Sequence, residues 1–336
     1  MRHSDDLLWS AVADLSRFAA LLTMAELGLA DELAHGPLGA ADLAGRCEAD
    51  PDALRRVLRE LAAMGLVRRT GDDRYDLTER GTPLRSDVPG SLRSSIQMLG
   101  EESLWYAMGN LPATVRAGSS ALTARYGLLY DHLAANPETS RLFGEYMATR
   151  AIPFIEGLVK GYDFRGVHSL VDVGGGRGHV LAAVLEANPE MRGVLLDREH
   201  VIEQARAALA AEGLTDRCEL VPGDFFRSVP AGHDAYLLGS VLHNWDDDDA
   251  VTILRNVREA MDPAGRVLVL EVVLPEDDAP HLGKDLDMRM LAVFDGGTER
   301  SGSEYGALLS RAGLTLSRVV ELEGAASLIE AVASAD

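Results

Sequence analysis

The chain has 336 residues, with 53 acidic against 32 basic side chains, a net charge of −21 and 47% hydrophobic residues. Its length exceeds what one compact domain usually holds, so two domains with a generous core are expected. The acidic balance repels nucleic-acid phosphates and anionic membranes, and no local basic patch overrides it. Cys47 and Cys218 lie far apart, without C-x-x-C or His spacing, and read as reduced thiols. The start of the chain lacks a charged-then-apolar leader, and no uninterrupted apolar run reaches about eighteen residues. A cytoplasmic protein with no membrane partner is expected.

From Leu7 to Leu33, apolar residues recur every three or four positions (Leu8, Val12, Leu15, Phe18, Leu22, Ala25, Leu29), a helix pattern broken near Gly28. One small domain cannot bury so many apolar positions, which points to burial against a partner. Gly39 to Arg46 and Asp52 to Met64 read as helices, the latter started by Asp50-Pro51 and stopped by Gly65, and Val67 to Leu77 reads as a β-wing. Together they form a winged helix-turn-helix with Arg55, Arg56 and Arg59 on the would-be recognition helix. Asp50, Asp52 and Glu60 share that helix and Asp72, Asp73 and Asp76 share the wing, so the phosphate neutralisation that DNA binding requires is missing.

Residues 92–160 read as helices, with Met98, Trp105, Met108, Tyr146 and Met147 forming either a soft apolar wall or ordinary core. From Val167 strands and helices alternate: Leu170 to Val173, helix to Ala187; Gly193 to Leu196, helix Ile202 to Glu212; Cys218 to Pro222; Ala235 to Leu238, helix Asp247 to Met261; Arg266 to Val273. Leu314 to Val320 and Ala326 to Ala333 read as a terminal strand pair. This is an α/β fold, a Rossmann-like doubly wound, mostly parallel sheet with helices on both faces. The domain boundary is expected near Phe164 to Val167.

In the stretch Val171-Asp172-Val173-Gly174-Gly175-Gly176-Arg177-Gly178 a strand breaks into glycines that open a helix, letting a ligand touch backbone. The dinucleotide fingerprint fails because His179 stands where its third glycine belongs, and no Gly-Lys-Ser/Thr follows as in a P-loop. Asp197 closes the next strand, where doubly wound sheets place an acid for ribose hydroxyls. An adenosine carrying an amino acid in place of a pyrophosphate fits best.

That loop, Asp197, Gly223-Asp224-Phe225-Phe226, His243-Asn244-Trp245 and Gly296-Gly297-Thr298-Glu299-Arg300-Ser301 resemble, in order and spacing, the S-adenosyl-methionine-dependent small-molecule O-methyltransferases. These are the homodimeric, metal-independent kind of plant phenolic and bacterial aromatic polyketide pathways. The resemblance covers nearly the whole chain. It implies a winged-helix dimerisation domain over 1–91, a helical linker contributing to the acceptor pocket over 92–165, and a cofactor-binding catalytic domain over 166–336.

Position by position, the resemblance implies that the loop from Gly174 through Gly176 to Gly178 lies against the methionine part. Asp197 then binds the ribose, Asp224 and Phe225 read and pack the adenine, and Ser240 and Trp245 complete the adenosine wall. The methionyl carboxylate needs a cation, for which Arg141 and Arg150 are the candidates. His243, at a strand's carboxyl edge, occupies the family's general-base slot. A phenol has a pKa of about 10 and is a poor nucleophile when neutral, so a base working near neutral pH is what the reaction lacks. Glu271 and Glu299 fill the slots of two carboxylates that orient the imidazole and stabilise the cation it becomes.

Asn244 stands where plant members commonly carry Asp, which bears on substrate orientation. Met147, Met290 and Phe294 occupy acceptor-pocket positions, Arg150 and Arg289 would suit a carboxylated acceptor, and Trp9 would reach a partner's pocket. Asp246 to Asp249 resemble a metal cluster, but four consecutive acids cannot face one ion and suit a helix N-terminus instead, so no metal is expected. Two rivals stand beside O-methylation of an aromatic acceptor. One is non-methylating chemistry on the same fold and cofactor (hydroxylation, decarboxylation or pericyclic rearrangement). The other is a ligand-sensing transcription regulator, which the acidic winged helix disfavours.

Overall fold

The computed structural model describes residues 6–324 and 326–335. The opening residues Met1 to Asp5, where a leader would begin, lie outside them. In chain order the N-terminal elements are α1 (Asp6–Glu26), α2 (Leu29–Leu33), β1 (Leu38–Gly39), α3 (Ala40–Arg46), α4 (Pro51–Ala63), β2 (Val67–Gly71) and β3 (Arg74–Leu77). Helices α5 (Arg93–Gly100), α6 (Glu102–Gly109), α7 (Leu111–Ala117), α8 (Ala121–Tyr126), α9 (Leu129–Ala135) and α10 (Pro137–Gly161) follow. The remainder runs β4 (Ser169–Val173), α11 (His179–Ala187), β5 (Arg192–Asp197), α12 (Glu199–Ala211), β6 (Cys218–Pro222), β7 (Ala235–Gly239) and α13 (Asp247–Ala260). It continues with β8 (Arg266–Glu271), β9 (Val273–Leu274), α14 (Leu282–Val293), β10 (Arg300–Ser301), α15 (Gly302–Arg311), β11 (Leu314–Glu321) and β12 (Ser327–Ala333). Contacts divide the chain into two units, one of residues up to Trp105 with Asn136–Thr149, the other Tyr106–Ala135 with the chain from Arg150 onward. Residues 92–165 are thus shared between the units.

In the first unit Gly28, at φ 63°, separates α1 from α2. Asp50 caps α4 by accepting the amides of Asp52 and Ala53 at 3.0 and 2.8 Å, with Pro51 in the first turn. The wing is a three-stranded sheet in the order β1-β3-β2. Arg55, on the would-be recognition helix, is forked onto Asp73 of the wing with both bonds at 2.9 Å, and Arg68 pairs with Asp76 at 2.6 Å. These cations already have carboxylate partners. Met24, Leu29, Leu43, Leu58 and Leu61 are fully buried at the centre of this unit, whereas Leu8, Trp9, Val12 and Leu15 of α1 are 69, 68, 64 and 63% exposed. Among the described residues one helix, Leu8–Glu26, is long and apolar enough to cross a bilayer by length and composition.

The second unit is built on a seven-stranded sheet in the order β11-β12-β8-β7-β4-β5-β6. β4 to β8 are parallel, and β11 and β12 add the antiparallel pair at one edge. Alternate residues serve two cores: Leu170, Leu195, Leu237 and Leu268 face one, and Val171, Val194, Tyr236, Val267 and Ile329 the other. That period of two, apolar on both faces, is what a sheet covered by helices on both sides requires. The chain leaves β4 toward β5 and β6, then returns to the other side of β4 as β7, so a topological switch point lies between β4 and β7, where doubly wound sheets bind ligands. The segment expected as one strand from Arg266 to Val273 divides after Glu271, and β9 leaves the main sheet to pair in parallel with β10, Val273 opposite Arg300.

Candidate active site

The loop after β4 is shaped by close approach. A Cβ on Gly175 would sit 2.3 Å from Oδ2 of Asp172 and 2.5 Å from Leu195, so no side chain fits there. Gly176, at φ 60°, faces open space with no heavy atom within 4 Å of a Cβ, and its amide donates to Oδ2 of Asp197 at 2.8 Å. Oδ1 of Asp197 accepts the Arg198 amide at 2.7 Å. Burial raises the Asp197 pKa, and the amides of Arg198 and Gly176 oppose the rise. Asp172 lies beneath the loop, 1% exposed, with Oδ2 lacking a hydrogen-bond partner among the described residues. Burial, with the charge of Asp197 adding to it, pushes its pKa up to about 7.

Phe225 packs on this loop, its ring edge 3.2 Å from where a Gly174 Cβ would be, and its carbonyl accepts from Asn256 at 2.8 Å. Trp245 meets Phe225 and Phe226 edge-on at 6.1 and 4.7 Å. Asp224 is exposed and turns the chain by accepting the Phe226 amide at 3.0 Å. Ser240, at the end of β7, has φ 55°, a left-handed conformation uncommon for a side-chain-bearing residue.

After Ser240 a short turn, Leu242–Asn244, carries His243, 2% exposed. Nδ1 of His243 lies 3.0 Å from Oε1 of Glu299 in a hydrogen bond, and Oε2 of Glu271 is equally close at 3.0 Å but out of line for one. Oε1 of Glu271 accepts the amides of Val241, Leu242 and His243 at 3.0, 3.0 and 3.4 Å, which ties this carboxylate to the turn that carries the histidine. Burial alone would depress the histidine. The charge and proximity of Glu271, then Glu299, overcome that and raise His243 to about 9. The two glutamates meet because β9 pairs with β10: Glu271 ends the strand before one, and Glu299 immediately precedes the other. Asp287 of α14 secures this approach, accepting the Glu299 amide at 2.9 Å and the Thr298 hydroxyl at 3.2 Å. His243, Glu271 and Glu299 place ligand atoms within 4.8 Å of one another, a donor set that a divalent ion could use.

Asn244 donates from Nδ2 to the Tyr130 hydroxyl at 3.0 Å and to the Ser240 carbonyl at 3.3 Å. The Tyr130 ring lies 5.9 Å from that of Phe294, at the end of α14, where Met290 is also buried. Burial, with Asp197 adding to it, raises the Tyr130 hydroxyl well above the usual phenol range, which keeps it protonated. Nη2 of Arg150 is buried without a hydrogen-bond partner among the described residues, and its guanidinium lies 5.9 Å from the Phe154 ring. Arg141 and Met147 belong to the first unit, where the exposed Arg141 is taken by Glu145 on its own helix at 2.5 Å. Asp246 caps α13, accepting the amides of Asp248 and Asp249 at 3.0 and 2.9 Å, which gives the acidic run a helix-starting role.

Tyr130, Asp287 and the clamping guanidinium of Arg300 were not assigned from the sequence. Arg300 stands in a motif that drew notice, whereas Tyr130 and Asp287 carry no local signal.

A strand-end crevice at a switch point, a glycine loop bonded to an acid on the next strand and an imidazole held by two glutamates define a methyltransferase dependent on S-adenosyl-methionine. The chain belongs to the O-methyltransferase family: the O-methyltransferase domain matches residues 108–315 and the O-methyltransferase dimerisation domain residues 9–86. It is 38% identical over 313 residues to the phenazine O-methyltransferase PhzM of Lysobacter antibioticus, covering 93% of this chain and 91% of that one. It is also 35% identical to the aclacinomycin 10-hydroxylase RdmB of Streptomyces purpurascens, covering 93% and 84%. The crystal structure of LaPhzM superimposes with a TM-score of 0.94 at 36% identity, covering 99% of this chain and 100% of that one. That of the neocarzinostatin-biosynthesis O-methyltransferase NcsB1, with S-adenosylmethionine and 2-hydroxy-5-methyl naphthoic acid, gives 0.85 at 36% identity, covering 96% and 98%.

The cofactor is S-adenosyl-methionine, and the residues present fit it. The open side of Gly176, the acid bonded to its amide and the unpartnered Arg150 nitrogen suit a nucleoside carrying an amino-acid carboxylate.

Proposed function

We propose that the enzyme methylates a hydroxyl of an aromatic small molecule, phenolic or polyketide-like, with His243 as the general base. The observation that carries this is the sharing of one imidazole nitrogen by two buried carboxylates, each 3.0 Å away. With Nδ1–H turned to Glu299, Nε2 is left as the acceptor for the proton of an incoming hydroxyl. Raised to about 9, the imidazole approaches the ~10 of a phenol, so proton transfer between them is nearly balanced. Glu271 and Glu299 then stabilise the imidazolium.

When bound, S-adenosyl-methionine supplies a methyl already activated by its sulfonium. We assign its ribose to Asp197, its adenine to Asp224, Phe225 and Trp245, with Ser240 at the rim, and its methionyl carboxylate to Arg150. Arg141, the other candidate, is taken by Glu145. Met290 and Phe294 grip the acceptor ring and keep water out, and Asn244, held by Tyr130, orients it. The exposed α1 face of Leu8, Trp9, Val12 and Leu15 is the seam of a homodimer, which the place of Trp9, Val12 and Leu15 inside the matched dimerisation domain supports.

The test is His243→Gln assayed on a panel of phenols and hydroxynaphthoates, with S-adenosyl-homocysteine as the measured product. Turnover should fall by about 10²–10⁴-fold, with S-adenosyl-homocysteine still bound at the parent affinity by calorimetry. Turnover persisting in the variant would remove the base assignment. The similarity to a 10-hydroxylase motivates a second reading, non-methylating chemistry on the same cofactor. The intact histidine and both glutamates favour methylation, and an acceptor converted without formation of S-adenosyl-homocysteine would reverse that preference.

A further inference from the structure

We propose that Arg300 is a positioning residue for methyl transfer: its buried guanidinium clamps the turn that carries His243 and so fixes where the outer ring nitrogen points. This rests on the reading of His243 as the base.

Arg300 is 2% exposed, among the largest fully enclosed side chains of the protein. Nη1 donates to the Leu242 carbonyl at 3.1 Å and Nη2 to the Trp245 carbonyl at 2.8 Å, so the two bonds bracket His243 and Asn244. Nε and Nη2 are anchored on Oδ1 of Asp247 at 3.1 and 2.9 Å. The carbonyl of His243 itself accepts the Thr298 amide at 2.8 Å. On the other side of the turn, Oε1 of Glu271 collects the amides of Val241, Leu242 and His243. An anion therefore holds the turn's donors and a cation its acceptors, and His243 stands between them.

The turn needs such a grip. It follows Ser240 at φ 55° and is closed internally by two bonds of 3.2 Å, Asn244 to Val241 and Trp245 to Leu242. Strain of that kind persists where surrounding contacts over-determine the conformation. Arg300 is also the chain neighbour of Glu299, so β10 and the residue just before it deliver the guanidinium that aims the ring and the carboxylate that meets Nδ1. A lysine keeps the charge but not the planar fork that serves diverging acceptors, which makes Arg300→Lys the discriminating substitution.

The experiment compares the full-length parent, Arg300→Lys and His243→Gln. The His243 ring signal, identified by its loss in His243→Gln, is followed by NMR from pH 5 to 10. S-adenosyl-homocysteine binding is measured by calorimetry, and turnover on the panel phenol that the parent methylates best. In Arg300→Lys the ring should titrate at least one pH unit below the parent's value of about 9, because the loosened turn carries Nδ1 away from the glutamates. kcat should fall roughly 10- to 100-fold with the acceptor KM changed less than about threefold, and S-adenosyl-homocysteine should bind within about twofold of the parent.

A folded Arg300→Lys with the parent's titration and kcat overturns the proposal, and so does one that loses only thermal stability. If Arg300→Lys does not fold, Asp247→Asn, which loosens the anchor from the exposed side, carries the test: a several-fold loss of kcat supports the clamp, and a parental kcat overturns it. An active His243→Gln would sink the base reading itself. An inactive one beside a parental Arg300→Lys would sink the clamp alone.

Discussion

Oε1 of Glu299 meets Nδ1 of His243 at 3.0 Å inside a core that shuts both side chains off from water. Because the glutamates raise the imidazole to about 9, its neutral, proton-accepting form grows in as pH rises through that value. kcat/KM for the acceptor should therefore climb across pH 7 to 9. Glu299→Gln removes one negative charge, so the neutral form appears at lower pH and the limb should shift down by about one unit. The plateau should fall about tenfold, because the imidazolium has lost a stabilising partner. A limb that stays in place would show that Glu299 does not set the titration.

Asp172 gives a pH-dependent stability with the opposite sign to a salt-bridged acid. Its pKa is raised from 3.8 to about 7, so the folded state holds a proton that the unfolded chain gives up. The native protein loses stability as pH rises from about 4 to about 7, by up to about 4 kcal/mol, and the penalty stays constant above that. Asp172→Asn cannot ionise. Its Tm should match the parent's at pH 4 and exceed it increasingly toward pH 7.5 in scans without cofactor, and parallel curves would refute the burial argument.

The α1 face is a test of assembly separate from catalysis. Replacing Val12 by Asp puts a charge among Leu8, Trp9 and Leu15, all more than 60% exposed. Between two copies that charge would be desolvated, whereas on a single chain it would stay in water. Sedimentation should show the parent as a dimer and Val12→Asp shifted toward monomer, with S-adenosyl-homocysteine affinity retained. A parent that sediments as a monomer would contradict the homodimer.

The donor set of His243, Glu271 and Glu299 invites a check for metal. Oε1 of Glu271 is already committed to three backbone amides, and Nδ1 of His243 shares its proton with Glu299, so an ion would have to displace hydrogen bonds that hold the turn. Dialysis against EDTA should leave kcat unchanged, and added Mg²⁺ should not raise it. Loss on chelation with recovery on adding a divalent ion would place a metal in the mechanism.

Much of this was legible in the sequence because it depends on local patterns. Glycines after an apolar run make a loop that ligands can approach, Asp50-Pro51 starts a helix, and the period of two in Leu170 to Val173 builds a sheet buried on both faces. Those features, with five motifs in order, determined the two-part α/β architecture, the cofactor and the residues about which the chemistry is argued.

Tertiary structure decided which side chains meet. Glu299 reaches His243 across 56 residues through a two-residue parallel pairing of β9 with β10, which no periodicity announces. Tyr130 joins Asn244 from a short helix 114 residues earlier, and Arg141, plausible by position, is spent on Glu145 while Arg150 keeps a buried nitrogen unpaired. The physical reason is range. Turn chemistry and amphipathic period act over a few residues, whereas the partner of a buried charge is fixed by strand register and the packing of elements distant in the chain.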